Sequence, residues 1–165
     1  NVLVDAYVAL KKHHQKKVKL VLVGDGPDRT RLEKMQGADQ VIFMGSLSGI
    51  QLAEAYASAN VFVFASQVET FGNVVLEAMA SGLPIIAYDY ACAQLHVKHR
   101  QTGWLSPIGQ KHQLIQHIFD LPENQTLKQM GNMAMQDVQH AGWQHPVRQF
   151  EQALYQVTQD AMLLT

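Results

Sequence analysis

The stretch Asn60 to Asp89, NVFVFASQVETFGNVVLEAMASGLPIIAYD, constrains the fold more than any other part of the chain. Val61 to Ala65 (VFVFA) is β-branched and aromatic, too short for a helix and apolar at successive positions. Strands buried on both sides of a parallel sheet have this composition. The polar loop SQVET follows, and Thr70 can cap the next segment, FGNVVLEAMASG. That segment has helical composition and a stop at Gly82 with Pro84 just beyond. PIIAY supplies a second buried strand. The unit predicts a right-handed β-α-β crossover, with its loop and helix N-terminus at the carboxyl edge of the sheet, where open α/β sheets bind ligands. Two acids belong to that edge: Glu69 in the loop and Glu77 within the helix.

The rest of the chain extends this pattern. Val2 to about Lys16 predicts an amphipathic helix, Val18 to Gly24 a buried strand, Arg29 to about Gln36 a charged helix and Gln40 to Gly45 a short strand. A turn, SLSG, precedes a helix over Ile50 to Ala59. After Asp89 the pattern predicts a short helical turn and a last strand, Gly103 to Pro107. Three helices then follow: Gln110 to Leu121, one beginning near Pro122, and one with Pro146 near its first turn. Alternating strands and helices without repeats predict a Rossmann-like, doubly wound parallel sheet finished by C-terminal helices. A length of 165 residues fits one domain.

Charge and cysteine content narrow the function classes. A formal charge of −1 gives no electrostatic footprint for nucleic acid or an anionic membrane. No apolar run approaches the roughly 20 residues that span a bilayer, and NVLVDAYVALKK has neither a basic n-region nor a cleavage site. The single cysteine, Cys92, excludes an internal disulfide and fits a reducing compartment. The eight histidines lack metal-ligand spacing and read as solvated surface.

Three loops bear on ligand binding. In GDGP (Gly24 to Pro27), Gly24 and Gly26 allow close approach of a ligand and the following helix offers free N–H groups, although a tight turn explains the same residues. Arg29 stands where the dinucleotide fingerprint needs its third glycine. MGSLSG (Met44 to Gly49) alone is a turn at a strand end. In the central loop, the N–H groups of Phe71, Gly72, Asn73 and Val74 are orphan donors that could hold phosphate or sugar oxygens, and Gly72 removes a blocking side chain. Glu77 is flanked by Val74, Val75, Leu76, Ala78 and Met79, which predicts a mostly buried carboxylate needing donors. A vicinal diol such as ribose supplies two; an internal salt bridge is the alternative. Glu69 reads either as a second carboxylate facing the same cleft or as a solvated loop residue before a helix.

GDGP, VIFMG and ANVFVFASQVETFGNVVLEAMASGLPIIAYD together closely resemble the C-terminal, donor-binding domain of GT-B-fold retaining glycosyltransferases of family 4, over about Asn1 to Pro107. The specific part is the E-x7-E element with its TFGN centre and EAMASGLP tail. The resemblance implies transfer of a hexose from a UDP- or GDP-sugar to a glycan or lipid acceptor, without bound metal or other cofactor. It makes Glu69 the residue beside the transferred sugar, in the catalytic position, and Glu77 the ligand of the ribose hydroxyls. The Phe71 to Val74 backbone would contact sugar and diphosphate, and Met44, Gly45, Leu47 and Val75 would border the base. The leaving diphosphate would be stabilised electrostatically by backbone N–H groups and basic side chains.

The departures are equally specific. The family's domain opens with a strand and a loop carrying an Arg and a Lys, and NVLVDAY matches the helix beyond them. An acceptor-binding N-terminal domain is also unmatched. The expectation is therefore a single nucleotide-sugar-binding domain, residues 1–165, from a longer protein, inactive alone, with its central first strand elsewhere. Where many relatives have a Gly-Gly-x-x-Glu loop, this chain has Tyr90-Ala91-Cys92-Ala93-Gln94-Leu95, with Cys92 expected to pack. The expected setting is bacterial polysaccharide or glycolipid synthesis in the cytoplasm or at the inner face of the cell membrane, with any peripheral membrane contact made by the other half. The alternatives are a sugar phosphorylase or synthase of the same fold, and a nucleotide-binding or protein-interaction module without catalysis.

Overall fold

The structure is a computed structural model that describes residues 2–13, 18–35, 37, 40–69 and 72–139. The elements run α1 (Val2–His13), β1 (Val21–Val23), α2 (Arg29–Glu33), β2 (Ile42–Gly45), α3 (Gly49–Ala57), β3 (Phe62–Phe64), α4 (Asn73–Ala80), β4 (Ile85–Tyr88), α5 (Ala91–His96), β5 (Gly103–Ser106), α6 (Lys111–Phe119) and α7 (Asn124–Val138). Every strand pairing among the described residues is parallel. The expected Rossmann-like α/β order is present. The helix expected around Pro146, the end of the first helix beyond His13, and the Thr70 cap lie outside the described residues.

The strands form two groups, β1–β2 and β3–β4–β5. β4 is the centre of the second group and all four of its residues are buried. Its alternation sorts the helices: Ile85 and Ala87 join Val75, Ala78, Met79, Cys92, Val97 and Ala134 in one cluster, from α4, α5 and α7. Ile86 and Tyr88 join Leu114 of α6, with Val2 of α1 packed alongside. Helices thus cover both faces of this sheet, as a doubly wound fold requires. Each fully buried large side chain contributes roughly 1.5–3 kcal/mol. In the first group, Val4 and Tyr7 of α1 pack with Leu22, Leu32 and Phe43. The opposite face, Val21, Val23, Ile42 and Met44, is 43–47% exposed.

This corrects the expectation that the strands before β4 are buried on two sides. β3 is half-buried along its length and β1 is exposed at both ends. Both are also shorter than their apolar runs, because a strand lasts only as long as its neighbour pairs with it. Between them lies a groove of about 310 Å³, lined by Val2 and Val4 of α1, Leu22 of β1, Leu32 of α2, and Val63 and Ala65 at β3. A second correction concerns the histidines. His117 is half-buried with its ring edge-on to His99, 5.7 Å between centroids, and the Leu105 amide donates to His99 Nδ1 at 3.0 Å. Burial holds the His117 imidazole below its ordinary pKa, with a hydrogen bond to the Leu105 backbone opposing. No described helix is long and apolar enough to cross a membrane.

Candidate functional site

α4 begins at Asn73, two residues later than its composition suggested, because Gly72 adopts the left-handed conformation (φ 69°) as N-cap. The cap has no side-chain hydrogen bond; the Val75 N–H turns back onto Gly72 O at 2.9 Å. By helix geometry the N–H groups of Asn73 and Val74 lack intrahelical acceptors, so the end remains suited to an anion. A Cβ on Gly72 would stand 2.8 Å from Cys92 Cβ and 3.9 Å from Glu69 Oε2. Glu69, Gly72 and Cys92 therefore form one packed corner at the carboxyl edge. Glu69 reaches it from a loop ordered by Ser66, whose hydroxyl donates to Val68 O at 2.9 Å. Burial pushes the Cys92 thiol pKa up, a hydrogen bond to the Leu76 backbone opposes it, and the Glu69 charge adds to the rise. Cys92 is buried and packs, as expected. Ala91, at the start of α5, holds φ 48°, a strained conformation for a residue with a Cβ.

Glu77 is not buried, contrary to the sequence expectation. The inward stripe of α4 is Val75, Ala78 and Met79, all at 0% exposure, while Glu77 projects from the other side. Its partner is the Tyr56 hydroxyl of α3, which donates to Glu77 Oε2 at 3.1 Å. No Arg or Lys among the described residues forms an ion pair with it. Partial burial and the Glu77 charge push the Tyr56 phenol up to about 12, so it stays a donor at neutral pH. The sequence offered no signal for Tyr56, whose role depends on two helices meeting.

The remaining expected site residues fall into two sets. The Gly24 N–H donates to Gly45 O at 2.7 Å, tying the GDGP turn to the end of β2. Gly24 and Gly26 have open space where a side chain would stand, and the Gly26 N–H is held by Asp25 Oδ1 at 2.9 Å. Met44 is 47% exposed and Leu47 half-buried, and α3 leads from them to Tyr56. Val75 is fully buried, which leaves only its backbone to meet a ligand. Phe71 lies outside the described residues. The groove between β1 and β3 is a separate feature, lined by neither Glu69 nor Glu77. Among the described residues no three His, Cys, Asp or Glu side chains gather as metal ligands.

The parallel strands wrapped by helices, with Glu69 packed beside a glycine-capped helix that carries Glu77, form an α/β domain of the GT-B type. The chain belongs to the glycosyl transferases group 1 family, whose model matches residues 1–137. It is 47% identical over 98 residues to a GDP-mannose-dependent alpha-mannosyltransferase of Mycobacterium tuberculosis, covering 59% of this chain and 25% of that protein. It is 30% identical over 148 residues to the N-acetyl-alpha-D-glucosaminyl L-malate synthase of Bacillus anthracis, covering 86% and 38%. The chain thus spans well under half of these relatives. Among solved structures, the sucrose-phosphate synthase of Thermosynechococcus elongatus superposes with a TM-score of 0.76 at 28% identity, over 95% of this chain and 42% of that one. Anabaena HepE in complex with UDP and glucose gives 0.76 at 22%, over 94% and 44%, a likeness of fold.

Proposed function

We propose that residues 1–165 form the donor-binding, C-terminal domain of a retaining glycosyltransferase of family 4, which transfers a hexose from a UDP- or GDP-sugar to a glycan or lipid acceptor. The observation that carries this reading is Glu77: a solvent-facing carboxylate on the helix that starts at Gly72, held by a neutral hydroxyl and not by a cation. Such a group keeps acceptor lone pairs open for the two hydroxyls of a ribose diol. Glu69, packed beside Gly72, is assigned to the sugar side, and the α4 N-terminus with the Phe71–Val74 backbone to the sugar and diphosphate. Met44, Gly45, Leu47 and the Val75 backbone are assigned to the base side, and Gly24 and Gly26 to a close approach of the ligand. Resemblance to a GDP-mannose-dependent enzyme supports a nucleotide-linked hexose donor and leaves UDP and GDP to be tested side by side. Likeness to a sucrose-phosphate synthase keeps a second reading, a synthase with a sugar phosphate as acceptor.

The groove between β1 and β3 supports the domain assignment. Its facing strand edges and apolar walls suit one extended parallel strand supplied by polypeptide outside residues 1–165, joining the two groups into one sheet. On this reading the acceptor-binding half also lies outside the chain, and the isolated domain binds donor without turning it over. The working place of the whole enzyme is the cytoplasm or the inner face of the cell membrane.

Calorimetry of this chain with GDP and with UDP tests the assignment. At least one nucleotide binds, and Glu77→Gln weakens it about tenfold or more, the loss of charge-assisted hydrogen bonds. Binding of neither nucleotide, or undiminished binding by the variant, contradicts the reading.

A further inference from the structure

We propose that Tyr56 is a positioning residue for the nucleotide's ribose, which it serves by fixing the Glu77 carboxylate while leaving Glu77 Oε1 for the ligand. The proposal rests on the reading of Glu77 given above and adds a residue from a different helix. The Tyr56 ring is anchored before any hydrogen bond is counted: it packs against Phe62 at 5.8 Å between centroids, tilted by 58°, and Phe62 in turn stacks on Phe64 at 6.1 Å. This rests the ring of an α3 residue on β3 aromatics and sets its hydroxyl across from α4, where it donates to Glu77 Oε2 at 3.1 Å.

An exposed hydrogen bond of this kind adds little to folding, because water would replace either partner. A glutamate on the open side of a helix otherwise samples several rotamers. Pinning one oxygen sets the plane of the carboxylate, and Oε1 has no hydrogen-bond partner among the described residues. Oε2 keeps a second lone pair, so both oxygens can still accept the two hydroxyls of a vicinal diol. The ordering is complete before the ligand arrives, which is how preorganisation raises affinity without a new ligand contact. α3, which carries Tyr56, begins at Gly49, just after Leu47 on the loop assigned to the base, so one rigid element joins the base side to the ribose side. The phenol does not ionise in the physiological range, since its pKa is pushed up to about 12.

The test is a double-mutant cycle on GDP or UDP affinity with Tyr56→Phe, Glu77→Gln and the pair, alongside thermal melts. Tyr56→Phe keeps the ring and its packing; the expected result is binding weakened by about three- to tenfold. It adds no further loss in the Glu77→Gln background. In a nucleotide-free measurement, the Tyr56 ring carbon titration moves down in Glu77→Gln relative to wild type, while the rise that burial causes remains. A Tyr56→Phe variant that binds as wild type, or whose loss is additive with Glu77→Gln, overturns the positioning role, as does an unmoved Tyr56 titration. A lowered melting temperature with unchanged affinity identifies a purely structural contact and overturns it too. A wild-type chain that binds neither nucleotide, or is indifferent to Glu77→Gln, instead overturns the parent reading and this role with it.

Discussion

Gly72 decides how the central helix begins. Its φ of 69° costs a residue with a Cβ about 1–2 kcal/mol, and that Cβ would press on Cys92 Cβ at 2.8 Å. Gly72→Ala is therefore expected to lower the melting temperature and also to weaken nucleotide binding, because the α4 N-terminus must move away from Cys92 to relieve the contact. Melting and titration on one preparation check this; an alanine variant with wild-type values for both would show that the corner is slack. The need for glycine here was legible in the sequence, although the reason first given, room for a ligand, is joined by a second, room for Cys92. Glu77 was misread because its apolar neighbours were counted along the chain. Counting round the helix, Val75, Ala78 and Met79 form the buried stripe and leave Glu77 outside it. Tyr56 was invisible because no local pattern reports that two helices cross at a given residue.

At the level of elements, α4 is held at both ends by backbone geometry. It closes with the Gly82 N–H on Met79 O at 2.9 Å and the Leu83 N–H on Ala78 O at 3.1 Å, with Gly82 at φ 75°. This is the glycine-terminated stop that the Gly82–Pro84 spacing predicted. α7 crosses that end so closely that a Cβ on Gly131 would collide with Gly82 O, a backbone atom that cannot swing aside. Gly131→Val is expected to cost about 1–3 kcal/mol, read as a lower urea midpoint; an unchanged midpoint would mean that the two helices separate freely. Nothing in the sequence around Gly131 announces this contact, which depends on residues nearly fifty positions away. β4 and β5, which pair with each other along all four residues, were legible almost to the residue. β1 and β3 were overestimated because strand length is set by the partner across the ladder, and each has one edge facing the groove.

In the whole molecule, the class of fold followed from the alternation of apolar runs, and the parallel pairings and two-sided helix cover confirm it. The division of the sheet into two groups was less direct, because a gap between strands leaves no mark in the strands themselves. The central claim is that a sugar nucleotide settles across the α4 N-terminus, from the β2–α3 loop to Glu77. It is tested most directly by mapping amide chemical shifts of the labelled chain as GDP or UDP is added, a method that tolerates weak binding. The shifts are expected to concentrate at Gly72, Asn73, Val74 and Glu77 and at Met44 to Leu47. Shifts confined to the groove around Leu22 and Val63, or none up to millimolar nucleotide, would contradict it.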